Sequence, residues 1–310
     1  MDRRGNRAQG TPHEAGIGRV FDRLALVRFP YYADVMNRTR LEALELARQV
    51  VAANCACQPD DFLKDGCTIV ETALCDGRMP FHLGRPHVGL ATFGAGVVVT
   101  ASPSWLPWVR RVVCNLDRDD VFSPACLSRI ERHVQRSKQP FAGPQHRYVC
   151  AEELWRQVTP PAGVRMESVK PGPRMEPLYD LPFAHALGEA GNTERPDMVA
   201  TVARVGDRVV GLAAASADHV DLWQIGVEVL PDHQGAGIGA ALVSACARAI
   251  LDAGKVPYYS THLSNLRSQA AALRCGFVPA WTEAFVYVPR AQRVAGDYLG
   301  LRRQRPRPSA

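Results

Sequence analysis

The second half of the chain shows the clearest alternation of hydrophobic and polar positions. Within residues 222–230, the side chains of Trp223, Ile225 and Val227 would point to one face of a strand and their neighbours to the other. Gly206-Asp207 separates two apolar runs and predicts a hairpin turn. The predicted strands are 198–205, 208–217, 222–230, 256–261 and 277–288. Two predicted helices begin within 235–239 and at 265, and they end near 253 and 276.

The first half predicts a further mixture of helices and strands. Residues 36–53 place Leu41, Leu44 and Ala47 on one stripe, which indicates a helix. Residues 86–109 contain no Asp, Glu, Lys or Arg, but glycines and prolines interrupt them, which favours two buried strands over a membrane span. The other predicted elements are strands 67–73, 87–93 and 95–101 and a helix at 124–135.

The net charge of the chain comes from its two ends. The 310 residues are 46% hydrophobic and 22% charged, which is typical of a globular protein of about two domains, and their net charge is +6. Residues 1–18 contribute +1 and residues 289–310 contribute +5, so the body between them is neutral. We expect the first segment to be disordered and the second to be a solvated basic tail. A neutral body argues against a nucleic-acid-binding fold.

Nine cysteines, an odd number, occur in a chain whose beginning lacks the apolar core of a secretory signal. A cytoplasmic location with reduced, mostly buried thiols is the expectation that follows. The alternative is a zinc site formed by Cys55, Cys57, Cys67 and Cys75, but their spacing lacks the paired C-x-x-C pattern. We therefore expect no bound metal.

A glycine-rich turn after the strand at 222–230 carries the most informative chemistry. Gly235, Gly237 and Gly239 leave backbone N–H groups unshielded, and the helix that begins here adds a partial positive charge. This combination suits a pyrophosphate group. The absence of Gly-Lys-Ser/Thr excludes a Walker A loop, and the G-x-G-x-G spacing differs from the G-x-G-x-x-G of dinucleotide-binding folds.

The segment Gln234-Gly-Ala-Gly-Ile-Gly239 resembles the Q/R-x-x-G-x-G/A signature of the GNAT superfamily of N-acetyltransferases. Ser264-Asn265, followed after ten residues by Gly276-Phe277, is similar to the segment after the fifth strand of that family. The resemblance covers about residues 160–288. It implies an α/β (α+β) fold, the GNAT fold, in which helices flank a twisted, mixed and mostly antiparallel sheet.

Two further segments, at residues 223–229 and 255–261, are similar to acetyltransferases of the zwittermicin-resistance type, which carry a divergent lobe before the GNAT domain. The resemblance implies a smaller α/β lobe at residues 19–145, which would bind no cofactor if it is a degenerate GNAT-like lobe. The predicted organisation is a disordered tail (1–18), this lobe, the GNAT domain (160–288) and the basic tail (289–310).

The resemblance implies acetyl-CoA as the acetyl donor. Backbone groups of residues 227–229 would bind the pantetheine arm and the thioester carbonyl, and one N–H would stabilise the oxyanion. Residues 234–240 would surround the pyrophosphate, while Asn265 and Ser268 would lie at the pantetheine arm. The implied cofactor-binding residues are Val227, Glu228, Val229, Gln234, Gly235, Ala236, Gly237, Ile238, Gly239, Ala240, Asn265 and Ser268.

Two positions depart from the family pattern and leave the proton-transferring residues open. Ala272 stands where many members have a tyrosine that protonates the thiolate, and Trp223 stands where several have a glutamate base. We take Glu228 as the candidate general base. Tyr259 and Ser260, at the end of the next predicted strand, are the candidate general acids.

Other residues near the motifs have simpler interpretations. Asp218 is the other nearby carboxylate. Cys275 is favoured as a packed thiol over an acyl-carrying nucleophile. His233 is favoured as an exposed loop residue. Trp223 and Trp281 are favoured as core residues over the lining of a substrate pocket.

These observations predict an N-acetyltransferase that transfers the acetyl group of acetyl-CoA directly to a primary amine, which the subgroup resemblance implies is that of a small molecule. Two alternatives stay open. One is an acyl-CoA-binding regulatory module with weak catalysis, and the other is a protein or peptide acetyltransferase whose first lobe recognises the acceptor. We expect no specific nucleic-acid partner and no membrane partner.

Overall fold

The computed structural model describes residues 38–79, 86–135 and 141–287, so the predicted tails (1–18 and 289–310) lie outside the described residues. The helices of the described part are α1 (Arg40–Cys55), α2 (Leu106–Val113), α3 (Arg118–Val121), α4 (Pro124–Gln135), α5 (Ile238–Asp252) and α6 (Leu266–Arg274). Its strands are β1 (Cys67–Glu71), β2 (Pro86–Thr92), β3 (Val97–Ala101), β4 (Phe141–Val149), β5 (Val164–Val169), β6 (Asp197–Val205), β7 (Arg208–Ser216), β8 (Leu222–Val229), β9 (Val256–His262) and β10 (Val278–Tyr287).

These ten strands form one sheet in the order β1-β3-β2-β10-β4-β9-β8-β7-β6-β5. The pairs β1–β3 and β8–β9 are parallel, and the other neighbouring pairs are antiparallel. The predicted α/β fold with a mixed, mostly antiparallel sheet is therefore confirmed. Residues 86–109 form β2 and β3, as the interrupted apolar pattern indicated, and also the beginning of α2, which it did not indicate. Among the described residues, no helix combines the length and apolarity needed to cross a membrane.

Helix α5 supplies the main core of the second half. One stripe of its side chains packs against β6, β7 and β8, because apolar residues recur there at helical spacing. The buried residues of this stripe include Ile238, Ala241, Leu242, Cys246 and Ile250. Helix α1 packs in a separate apolar cluster with Tyr258 and Trp281, which lie on strands β9 and β10. Helices flanking the sheet thus fix the strands that border the candidate site.

The sequence pattern did not predict strand β4, which lies in the interior of the sheet. It lies between β9 and β10, while β10 also pairs with β2, so strands from both predicted lobes interleave. Gly143-Pro144 and the polar residues that follow hide its alternation. Gly143 is required because a Cβ there would lie 2.7 Å from the carbonyl oxygen of Glu283. The lobe boundaries inferred from the sequence stay a prediction.

Three other elements also escaped the sequence pattern. Strand β5 is a short edge strand whose Arg165 and Ser168 are exposed, so it lacks an apolar run. Helix α2 carries Pro107 in its first turn, where proline is tolerated, so the sequence pattern around this proline does not reveal the helix. Helix α3 is only four residues long, too short for a periodic signal.

Candidate functional site

Strands β8 and β9 separate at one point of the sheet. They pair in parallel only from Leu222 with Val256 to Ile225 with Tyr259. Beyond this point, β8 continues beside β7 alone, and β9 continues beside β4. The backbone of residues 227–229 therefore has no strand partner on its β9 side among the described residues, and it borders an opening between the two strands.

The glycine-rich loop lies at the end of β8, next to this opening. Gly235 (φ +83°) and Gly237 (φ +89°) adopt left-handed backbone conformations that favour glycine. A Cβ on Gly235 would meet no atom within 4 Å, so the space above the loop is open. The Gln234 side chain donates a 3.0 Å hydrogen bond from Nε2 to the carbonyl oxygen of Val229. Gln234 thus braces the loop against the strand.

The loop leads directly into α5, whose first turn is open to a ligand. Gly237 is the N-cap residue and has no side chain to accept a hydrogen bond from the first turn. The N–H groups of that turn and the helix dipole both favour an anion. An open glycine loop before an uncapped 15-residue helix fits a pyrophosphate group, as the sequence predicts for residues 234–240.

Asn265 and Ser268 lie together at the start of α6. Asn265 caps the helix, since its Oδ1 accepts a 3.1 Å hydrogen bond from the backbone N–H of Ser268. The Ser268 hydroxyl lies 2.6 Å from the hydroxyl of Tyr259, the last β9 residue that pairs with β8. Burial raises the pKa of Tyr259, which keeps its proton on the phenol. The structure therefore joins a predicted acid to a predicted cofactor-binding residue.

Ser260, the other candidate acid, points to the opposite face of the sheet. Its hydroxyl donates a 3.3 Å hydrogen bond to Oε1 of Gln145 on β4. Consecutive strand residues face opposite sides, so Ser260 and Tyr259 cannot act on the same face. The two candidate acids are thus separated by the sheet itself.

Glu228 also lies on the face opposite α5. Its Oε2 accepts a 3.0 Å hydrogen bond from the backbone N–H of His185, and the side chain is half-buried. The chain at 185–186 approaches β8 closely, because a Cβ on Gly226 would lie 2.3 Å from the carbonyl oxygen of His185. Glu228 is therefore held by a main-chain contact that nothing in the sequence predicted.

The remaining candidates lie in the core. Asp218 is fully buried and accepts hydrogen bonds from Tyr258, Arg195 and, at 2.7 Å, Ser216, so it has a structural role. Trp223 and Trp281 are 7% and 4% exposed, which confirms that they are core residues.

Cys275 and Ala272 are both fully buried beside α5. The thiol of Cys275 donates to the carbonyl oxygen of Ala240 at 3.1 Å, and burial raises its pKa to about 12. It is a packed, protonated thiol, as favoured. Ala272 points into the core, so this position of α6 does not face a ligand. Within residues 38–79, 86–135 and 141–287, no three His, Cys, Asp or Glu side chains group as metal ligands.

A segment at 171–188, here named the cover segment, shields β6 and β7 on the face opposite α5. Its apolar side chains, among them Met175, Leu178 and Phe183, pack on this part of the sheet. Asp197 ties the middle and the last residue of the segment to β6, since its Oδ2 accepts hydrogen bonds from the Tyr179 hydroxyl (3.1 Å) and the Gly188 N–H (3.0 Å). The same segment supplies the His185 N–H that holds Glu228.

Asp197→Asn is expected to remove part of the pH dependence of the free energy of unfolding. Burial raises the pKa of Asp197 to about 6, although the bonds from Gly188 and Tyr179 lower it. Folded Asp197 therefore holds its proton more tightly than the unfolded chain does, and the wild type loses about 3 kcal/mol of unfolding free energy as the pH rises from about 4 to 7. Urea unfolding of both proteins across this range measures the difference. A difference that does not grow with pH contradicts the prediction.

Comparisons with known proteins address the same region. Residues 164–277 match the family model described as the acetyltransferase (GNAT) family. Among solved structures, the chain is similar to one described as a GNAT-family acetyltransferase from Novosphingobium aromaticivorans (17% identity, 47% of this chain and 64% of that chain, TM-score 0.37). It is also similar to a GCN5-related N-acetyltransferase from Kribbella flavida (16% identity, 51% and 63%, TM-score 0.40). A third is a GCN5-related N-acetyltransferase-like protein from Streptococcus suis (18% identity, 54% and 69%, TM-score 0.37).

The chain thus covers less than two thirds of the first two structures, at 64% and 63%. No curated protein matches it. The family match contains β8, the glycine-rich loop, α5, β9 and α6, which are the elements that form the site. Residues 164–277, about a third of the chain, are therefore similar to the acetyltransferase (GNAT) family.

Proposed function

We propose that this chain is an N-acetyltransferase that transfers an acetyl group from acetyl-CoA to a primary amine of a small molecule. The observation that carries the proposal is the open glycine-rich loop beside the separation of β8 and β9, within the segment that matches the GNAT family. The loop suits a pyrophosphate, and the opening offers unpaired backbone groups to an extended arm. The small-molecule acceptor rests on the subgroup resemblance, and a cytoplasmic location remains part of this proposal.

Acetyl-CoA supplies the activated acetyl thioester. Residues 234–240 bind its pyrophosphate, since Gly235 and Gly237 leave the loop amides uncovered. The backbone of residues 227–229 orients the acetyl end, and one N–H of this segment stabilises the negative charge that develops on the carbonyl oxygen. Holding the donor and the amine in place is the largest contribution we assign to the protein.

Glu228 is the proposed general base for the acceptor amine. It lies on β8 at the opening, and its Oε2 is already held by the His185 N–H. Among the described residues, no hydrogen bond to its other oxygen is made, so that oxygen is available to accept a proton from an ammonium group. The acceptor then approaches from the face opposite α5.

Tyr259 and Ser268 are proposed to supply the proton that the leaving thiolate takes up. They lie at the last paired residue before the opening, and their hydroxyls are in contact. They stand on the α5 and α6 side, where the loop for the pyrophosphate lies. The pair would replace the tyrosine that is absent at Ala272, a position that faces the core.

Tyr259→Phe is expected to lower kcat by about 10- to 100-fold with the KM for acetyl-CoA changed by no more than about threefold, because a general acid acts on the transition state. Ser268→Ala should show the same pattern. Ser260→Ala is the matched control, since it removes a hydroxyl from the opposite face. Steady-state kinetics across pH measure the effect, and equal losses in Ser260→Ala and Tyr259→Phe would refute the assignment.

A single experiment tests the proposed function. Thermal unfolding of the full chain is followed with acetyl-CoA and CoA, and thiol release is then measured with a panel of small amines. A ligand that binds only the folded state raises the melting temperature. Absence of stabilisation by both compounds excludes the proposal. Stabilisation without thiol release favours the regulatory module, and release only with peptides favours the protein acetyltransferase.

A further inference from the structure

An exposed arginine lies beside the glycine-rich loop. Arg274 is the last residue of α6, and a Cβ built on Gly237 would lie 4.0 Å from its Nη1 atom. No other atom would lie within 4 Å of that Cβ. The guanidinium group therefore borders the open space beside Gly237.

The charge of Arg274 has no ion-pair partner within the described part of the chain. Arg274 makes no ion pair and no side-chain hydrogen bond there, whereas Arg248 on α5 is paired with both Glu152 and Asp252. The loop also contains one carboxylate, Asp232, in the turn before the glycines. Asp232 forms no ion pair with a described residue either. A cation next to the loop thus offsets a negative charge that would otherwise oppose an anionic ligand.

We propose that Arg274 binds the pyrophosphate of the CoA moiety together with the amides of the loop and of the first turn of α5. This inference rests on the proposed function. The planar guanidinium presents several N–H donors and suits phosphate oxygens better than a point charge. Arg274 thus adds a charged donor to the neutral amides of the loop. Sequence motifs omit this residue because it lies 37 positions after Gly237.

Arg274→Gln tests the proposal. Kd values for CoA and for 3′-dephospho-CoA are measured by calorimetry at low and moderate salt, with unfolding curves as a check of folding. We expect both Kd values to rise about tenfold at low salt, since both ligands contain the pyrophosphate, and less at moderate salt because of screening. Arg274→Lys should recover part of the affinity.

Arg267→Gln is the matched control. Arg267 is exposed on the same helix, seven residues earlier, which corresponds to about 10 Å along the axis. Its substitution removes the same charge and should change either Kd by less than about twofold. An equal loss in Arg267→Gln, or a loss for CoA alone, which would indicate the 3′-phosphate, overturns the assignment. So does an unchanged Kd in Arg274→Gln. A wild-type chain that binds neither ligand refutes the proposed function itself.

Discussion

Replacing Gly237 with glutamate is expected to weaken the binding of CoA and acetyl-CoA at least 100-fold. The residue is the N-cap of α5, and its Cβ position opens into the space that the proposed pyrophosphate occupies. A carboxylate there would repel the phosphates and would also attract Arg274, 4.0 Å from the new Cβ. The repulsion energy between two like charges is several-fold larger in a partly enclosed site than on an open surface, because the effective dielectric constant is lower there. Calorimetry with CoA measures the loss.

Gly254→Glu is the control for strain and charge. Gly254 follows the other end of α5, also has a left-handed backbone (φ +70°), and also has open space around its Cβ position. The helix of 15 residues separates the two glycines by about 22 Å. Both variants therefore add the same charge and a similar conformational cost, but only one does so at the loop. Retained CoA binding in Gly237→Glu would show that the loop is not the pyrophosphate site.

Gly276→Ala is expected to lower the free energy of unfolding by more than about 4 kcal/mol. The residue follows α6 in a left-handed conformation (φ +93°), and a Cβ there would lie 1.8 Å from the carbonyl oxygen of Leu154. That obstacle is backbone, so it cannot rotate away, and one of the two chain segments must shift. Leu154 and Trp155 border the main apolar cluster, so the shift would open the core between α5 and α6.

Gly254→Ala separates the contribution of the clash from that of the backbone conformation. Gly254 has a similar positive φ at a helix end but no atom within 4 Å of its Cβ position. Its alanine variant should therefore lose only about 1 kcal/mol. Chemical denaturation of both variants gives the comparison. Similar losses in the two proteins would mean that the close approach at Leu154 relaxes without cost.

The part of the site that could be predicted is local in sequence. The alternation of residues 222–230, the glycines at 235–239 and the helix after them all lie within about one strand, one turn and one helix. Each of these elements is determined by residues next to one another: alternation sets a strand, and glycine permits the turn. The glycine-rich loop was therefore located correctly as a structural element.

The contacts that orient the candidate catalytic groups could not be predicted. His185 reaches Glu228 across 43 residues, and Gln145 reaches Ser260 across 115. Strand β4, which supplies Gln145, has no clear apolar alternation, because polar side chains on it are buried against other polar side chains. The pair Arg147–Glu283, with a 2.6 Å contact across 136 residues, is one such case. Only a partner strand makes burial of these groups favourable.

The sequence by itself determined the strands other than β4 and β5, the glycine-rich loop that opens α5, and the neutral body between two basic ends. These depend on side-chain pattern, backbone freedom and composition, which act over a few residues. Tertiary structure alone decided that β4 separates β9 from β10, that Tyr259 meets Ser268, and that Arg274 borders the loop. Strand order and contacts between distant side chains depend on which surfaces bury one another when the chain closes. The packing of the whole sheet therefore determines the strand order and these contacts, and a short segment of sequence does not predict them.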